Sequence, residues 1–135
     1  MRIREYTEGD LNALRQMHAR QKFDYEFPDL TDPLFLSKLV VEDEAGRPVM
    51  ASLARLTCEM YLLLDPDSGS PRERCQRLLA LHATGQSDLL ARGLEDAHAW
   101  LPPSIAKRFG RRLSGLGWIR DDAWTPYCRR LRTSG

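Results

Sequence analysis

The sequence has too few cysteines, too widely scattered, for a disulfide framework or a metal centre. Its three cysteines are Cys58, Cys75 and Cys128, with no CxxC pair and no Cys/His cluster. We therefore expect free thiols in a reducing compartment, and no bound metal. No run of apolar residues approaches the roughly eighteen that a membrane span needs, and no leader pattern is present. We expect a cytoplasmic protein without a membrane partner.

Neither sign of charge dominates the chain as a whole. The formal net charge is +1, which gives no reason to expect a polyanionic partner. From Pro103 onward, however, eight Lys and Arg residues stand against two Asp. Two interpretations stay open for this excess: a solvated helix face with a basic tail, or a site for an anion such as a phosphorylated cofactor. Nucleic acid is the least favoured partner.

Composition and periodicity predict one α+β domain over residues 1–135. Hydrophobic residues make up 42% and charged residues 29%, an ordinary globular balance in a chain long enough for one core. A helix that begins near Ser70 is expected to break at Thr84–Gly85. The order of elements mixes antiparallel strands with βα crossovers. The predicted strands cover 1–6, 39–43, 49–57, 58–64, 95–101 and parts of 118–131; the predicted helices cover 8–21 and begin near 31, 70 and 103.

Three local motifs occur in the order and spacing of one known superfamily. They are Ile3-Arg4 followed by Thr7-x-x-Asp10-Leu11, then Asp43-x-x-Gly46-x-Pro48-Val49, then Phe109-x-x-x-Leu113-x-x-Leu116-Gly117-Trp118. In these features the chain resembles the GNAT superfamily of acetyl-CoA-dependent N-acetyltransferases. The resemblance implies a mixed, mostly antiparallel central sheet flanked by helices, with acetyl-CoA as co-substrate.

The resemblance also implies a pyrophosphate-binding loop between the fourth strand and the following helix. In this chain the corresponding segment is 65–72, which departs from the family pattern in having one glycine in place of two. Pro71 removes an N–H donor, and Asp65 and Asp67 add negative charge. The residues implied as cofactor contacts are Leu63, Leu64, Ser68, Gly69, Ser70, Arg72 and Arg74.

For the chemistry, the resemblance implies Glu59 as the base and a tyrosine as the acid that protonates the leaving thiolate. Tyr127 is the candidate for the acid, with Tyr61 as another. Other interpretations stay open: Glu59 paired with Arg55, and Tyr127 packed as an ordinary strand residue on Trp124.

The aromatic connection over 23–29 lies where relatives place the wall of the acceptor site. It is interpreted either as an acceptor pocket or as a hydrophobic plug.

The resemblance thus implies an N-acyltransferase that moves an acetyl group from acetyl-CoA to a small-molecule or protein amine. The alternative is a catalytically silent GNAT-like module that binds a ligand or a protein. A homodimer through the C-terminal strands is also expected.

Overall fold

The computed structural model describes residues 1–122, 124 and 126–132. The chain divides into two compact units, Met1–His98 and Ala99–Gly135. A three-stranded antiparallel sheet, a separate parallel pair of strands and three α-helices confirm the α+β class. The prediction of one domain over 1–135 stays a prediction.

The first unit opens with strand β1 (Arg2–Glu5) and helix α1 (Leu11–Gln21), joined by a 3-10 turn. The Asp10 carboxylate accepts a hydrogen bond from the Thr7 backbone N–H at 2.9 Å, which satisfies a donor that the helix start leaves free. This interaction confirms the helix start that the Thr7-x-x-Asp10 motif predicts. The helix ends at Lys22, whose φ of 60° lies in the left-handed region.

Strands β2 (Phe35–Glu42) and β3 (Pro48–Arg55) form the predicted antiparallel hairpin. Gly46, with φ of +80°, makes the turn between them. Strand β2 is central, because β1 pairs with its other edge and gives the order β1-β2-β3. The small core consists of Leu14 from α1, Leu30 from the segment between α1 and β2, and Val40 from β2.

The helix predicted near Thr31 is wrong. The Asp32 carboxylate accepts the N–H of Leu34, and the Phe35 N–H donates to the Asp32 carbonyl, so the segment closes a turn and enters β2 directly. Pairing with strands on both sides outweighs the local preference for helix after Pro33.

Strand β4 (Cys58–Glu59) pairs in parallel with β5 (Ala97–His98). The fourth strand is therefore much shorter than the predicted 58–64. Helix α2 (Pro71–Ala91) connects the two strands and runs without a break. The predicted break at Thr84–Gly85 is wrong, because one interior glycine costs a helix only about 1 kcal/mol and the neighbouring residues support it.

The second unit contains helix α3 (Pro103–Gly115), which begins at a proline as predicted. Gly117 follows with φ of +92°, the conformation expected of a glycine just past a helix. The final strands predicted over 118–120 and 124–131 do not form among the described residues, and Ala123 and Thr125 lie outside them. No helix among the described residues is long and apolar enough to cross a membrane.

Candidate functional site

The β4–β5 pair positions the residues expected to carry the chemistry. Glu59 lies opposite His98 in the parallel register, and the Met60 N–H donates to the His98 carbonyl at 2.7 Å. Beyond Met60 the chain leaves the ladder, and no backbone–backbone hydrogen bond joins residues 62–64 to another described residue. Leu63 is 92% exposed and Leu64 is 56% exposed. This segment therefore presents free backbone donors and acceptors beside Glu59.

Glu59 and Tyr61 form a side-chain pair. The Tyr61 hydroxyl donates to Oε1 of Glu59 at 2.7 Å, and both side chains are exposed to solvent. Arg55, the partner considered for Glu59, instead binds Asp32, Glu95 and Asp96 with N–O distances of 3.8, 2.5 and 3.0 Å. A carboxylate and a phenol thus share a hydrogen bond at the point where β4 ends.

Tyr127 belongs to the second unit and is 95% exposed. Its predicted role as the acid stays a prediction. Tyr61, the other candidate, is the tyrosine that the structure places in contact with Glu59.

The predicted phosphate loop lies between β4 and α2, as the sequence implies. Gly69 has φ of +76°, and Ser70 caps the helix by accepting the Glu73 N–H at 3.2 Å. Glu73 returns the interaction, since its Oε1 accepts the Ser70 N–H at 3.2 Å. Hydrogen bonding of the Glu73 carboxylate to the backbone N–H of Ser70, and then to its side chain, lowers the pKa of Glu73 from its usual value. The capping box leaves the Ser70 N–H engaged with a carboxylate.

Arginines surround this loop. Arg74 donates to the Gly69 carbonyl at 2.7 Å, and Arg77 donates to both the carbonyl and the hydroxyl of Ser68 at 3.2 Å. Arg72 is exposed and makes no hydrogen bond or ion pair with a described residue. Sequence reasoning missed Arg77, although its position three residues after Arg74 puts it on the same side of a helix. Three guanidinium groups thus lie on the first two turns of α2.

The aromatic connection after α1 lines a cavity of about 600 Å³ in the first unit. Its walls come from α1, the connection, and strands β2 and β3. His18 lies at its side in edge contact with Tyr25 and Phe27, at centroid distances of 4.9 and 5.7 Å. The lining residues are Leu14, Met17, His18, Arg20, Gln21, Tyr25, Phe27, Pro28, Phe35, Val49, Met50, Ala51 and Leu53.

Among the described residues, no group of three or more His, Cys, Asp or Glu side chains is arranged to hold a metal ion. Cys58, Cys75 and Cys128 are free thiols. Comparisons of the chain with protein-family models, with curated proteins and with solved structures return no match.

Proposed function

We propose that the chain is a GNAT-like N-acyltransferase that transfers an acetyl group from acetyl-CoA to a primary amine. The observation that carries the proposal is the backbone of residues 62–64, which makes no backbone–backbone hydrogen bond with another described residue and lies in sequence between the Glu59–Tyr61 pair and the arginine-lined loop. The element order supports it. Antiparallel strands β1 to β3 and the parallel β4–β5 crossover include both kinds of strand pairing that the resemblance implies, although they form two separate sheets and not one central sheet.

The unpaired segment fits the pantetheine arm of coenzyme A. This arm is extended and carries two amide groups, so it can pair with a free strand edge through main-chain hydrogen bonds. Residues 62–64 offer such an edge, with Leu63 and Leu64 as exposed apolar contacts. This mode of binding does not depend on the glycine pattern of the following loop.

The diphosphate of coenzyme A would lie at the start of α2. The helix N-terminus attracts anions, and the guanidinium groups of Arg72, Arg74 and Arg77 are suited to pair with phosphate oxygens. A bound phosphate must compete with the Glu73 carboxylate for the Ser70 N–H. Arg74 and Arg77 must likewise turn from loop carbonyls to the phosphates. We therefore expect weaker affinity than a loop with free amides would give.

When bound, acetyl-CoA supplies an acetyl group activated as a thioester. Glu59 accepts a proton from the incoming ammonium, directly or through water, and so leaves a neutral amine that can attack the acetyl carbonyl. The Tyr61 hydroxyl provides a proton for the departing thiolate and can recover one through its hydrogen bond to Glu59. Between ammonium and amide the nitrogen loses two protons: one reaches the departing thiolate, and the other passes from Glu59 to solvent, so the transfer is balanced.

The direct test is calorimetric titration of the intact protein with acetyl-CoA. We expect binding, and about tenfold weaker binding when Arg74 and Arg77 are both changed to Gln, because charge-assisted hydrogen bonds are lost. Changing both Arg111 and Arg112 of α3 to Gln removes the same two charges from a different helix and serves as the control. The proposal fails if millimolar acetyl-CoA neither binds nor raises the unfolding temperature.

A catalytically silent ligand-binding module is the second candidate. The occupied donors of the loop favour it, since Glu73 holds the Ser70 N–H and the Asp65 carboxylate holds the Asp67 N–H at 2.9 Å. Under this alternative the protein binds a ligand without coenzyme A, and a panel of amines with acetyl-CoA gives no acetylated product by mass spectrometry.

A further inference from the structure

We infer that the cavity between α1 and β3 binds a small molecule with an apolar body and a carboxylate. This inference goes beyond acetyl transfer and holds whether or not the protein binds acetyl-CoA. It rests on two features of the cavity: its size and largely apolar walls, and the positive charge of Arg20.

The cavity has the size and composition of a small-molecule site. Its volume of about 600 Å³ lies within the range of roughly 300–1,000 Å³ typical of ligand pockets. Apolar and aromatic side chains form most of the wall, with Met17 and Phe27 among them. Phe23 and Tyr25 stack next to it, with centroids 5.4 Å apart and planes inclined by 16°. These walls suit a compact apolar body such as a phenyl ring.

His18 contributes the surface of its ring to this wall. Its Nε2 is buried away from the cavity space and has no hydrogen-bond partner among the described residues. The rings of Phe23, Tyr25 and Phe27 lie against the imidazole at centroid distances of 6.3, 4.9 and 5.7 Å. These contacts extend the aromatic wall of the cavity.

Arg20 gives the cavity a positive charge that nothing in the described chain neutralises. It lines the cavity, is exposed, and has no hydrogen bond or ion pair with a described residue. The neighbouring Arg15 differs, because its guanidinium lies over the Phe27 ring at 5.9 Å. No Asp or Glu occurs among the lining residues. The charge therefore favours a carboxylate over an amine, since arginine pairs with carboxylates through two parallel hydrogen bonds.

The experiment uses two probes of similar shape, 3-phenylpropionate and 3-phenylpropan-1-ol, with the full chain and no acetyl-CoA. Calorimetry should show the carboxylate binding at least about tenfold more tightly than the alcohol. Amide resonances of residues 17–21 and 49–53 should shift on titration. Equal affinity for the two probes, no binding of either at millimolar concentration, or shifts confined to residues 65–77 would each overturn the inference.

Two variants locate the interaction. Arg20→Gln should weaken the carboxylate about tenfold and leave the alcohol unchanged, whereas Arg111→Gln should change neither. His18→Phe keeps an aromatic ring and removes the buried, unsatisfied Nε2, so the variant should unfold at a higher temperature than the wild type and bind the carboxylate about as tightly. If Arg20→Gln binds the carboxylate as well as the wild type does, the inference is wrong. Because acetyl-CoA is absent, a failure here leaves the proposed acetyl transfer untouched.

Discussion

Arg4 and Asp10 form a two-point ion pair beside the core of the first unit. Nη1 and Nη2 of Arg4 donate to Oδ2 and Oδ1 of Asp10 at 2.8 and 2.7 Å, and Nε of Arg4 donates to Glu42 at 2.7 Å. Asp10 is 4% exposed, so its charge is stable only because it is fully paired. The pair connects β1 with the start of α1.

Because of the Arg4–Asp10 pair, the free energy of unfolding should decrease as the pH becomes acidic. The hydrogen bonds from Arg4, aided by Thr7, lower the pKa of Asp10 to about 2 despite its burial. Because this value lies below the ordinary value of 3.8, the carboxylate stabilises the fold above about pH 4 and loses that contribution as the pH falls through 2. Asp10→Asn should therefore cost about 2 kcal/mol at pH 7 and clearly less at pH 2. Urea unfolding at the two pH values measures this difference.

Asp24→Asn is the matched control, because Asp24 is exposed and makes no hydrogen bond or ion pair with a described residue. It should leave stability unchanged at both pH values. A penalty for Asp10→Asn that is the same at pH 7 and pH 2 would show that the charge of Asp10 does not contribute.

Local chemistry explains which parts of the fold the sequence predicts. The start of α1 depends on Thr7 and Asp10, three residues apart, and the β2–β3 turn depends on Gly46, so both follow from short segments. The start of β2 depends instead on Phe35 pairing with Arg55, twenty residues away. No local pattern contains that contact, and the preference after Pro33 therefore misled the prediction.

The candidate site also combines features that a short segment determines with features that depend on contacts between distant residues. The loop and its helix cap are predictable, because Ser70 and Pro71 carry the signal themselves. The contact between Tyr61 and Glu59 follows from alternation along an extended chain, but the choice of Tyr61 over Tyr127 as its partner needs the structure. A pocket along 23–29 is one of the two interpretations that the sequence leaves open, but the position and volume of the cavity beside His18 depend on how α1 packs against β3, which no local pattern contains.

Gly69 should tolerate a side chain poorly. Its φ of +76° is strained for any residue with a Cβ, and a Cβ there would approach the Arg77 guanidinium to 3.1 Å. Gly69→Ala should cost about 1 kcal/mol of stability. Gly85→Ala within α2 is the control and should stabilise by about the same amount, since it relieves a helix glycine whose nearest neighbour is Met60 at 4.0 Å. Thermal unfolding followed by circular dichroism compares the stabilities of the two variants. Equal changes in unfolding temperature would contradict a strained conformation at Gly69.

The carboxyl group of Asp96 should titrate at a higher pH once Thr57 loses its hydroxyl. Thr57 Oγ1 donates to Asp96 at 2.8 Å and is the largest cause of its lowered pKa, with Arg55 contributing further. Because burial pushes the pKa upward, Thr57→Val should move it up. The wild-type interaction stabilises the fold at neutral pH and fades as Asp96 is protonated, so the variant should also lose less stability in acid.

Carbon-detected NMR titration of the side-chain carboxyl groups measures this shift. Thr31→Val is a reciprocal control, because the Thr31 hydroxyl lowers the pKa of Asp29 in the same way, at 2.6 Å. Each variant should raise the pKa of its own partner and leave the other unchanged. An unmoved Asp96 in Thr57→Val would mean that Arg55 alone sets its protonation.

Variants of Glu59 and Tyr61 should slow proton transfer without changing the affinity for acetyl-CoA. If the protein acetylates amines as proposed, Glu59→Gln should lower kcat by about 10²-fold or more, because a general base contributes that much, while calorimetry with acetyl-CoA stays unchanged. Tyr61→Phe should also lower kcat, since it removes the proton donor that contacts Glu59. Tyr127→Phe distinguishes the two tyrosines. A large loss there with none in Tyr61→Phe would assign the acid to Tyr127, and an unchanged rate in Glu59→Gln would remove Glu59 from the mechanism.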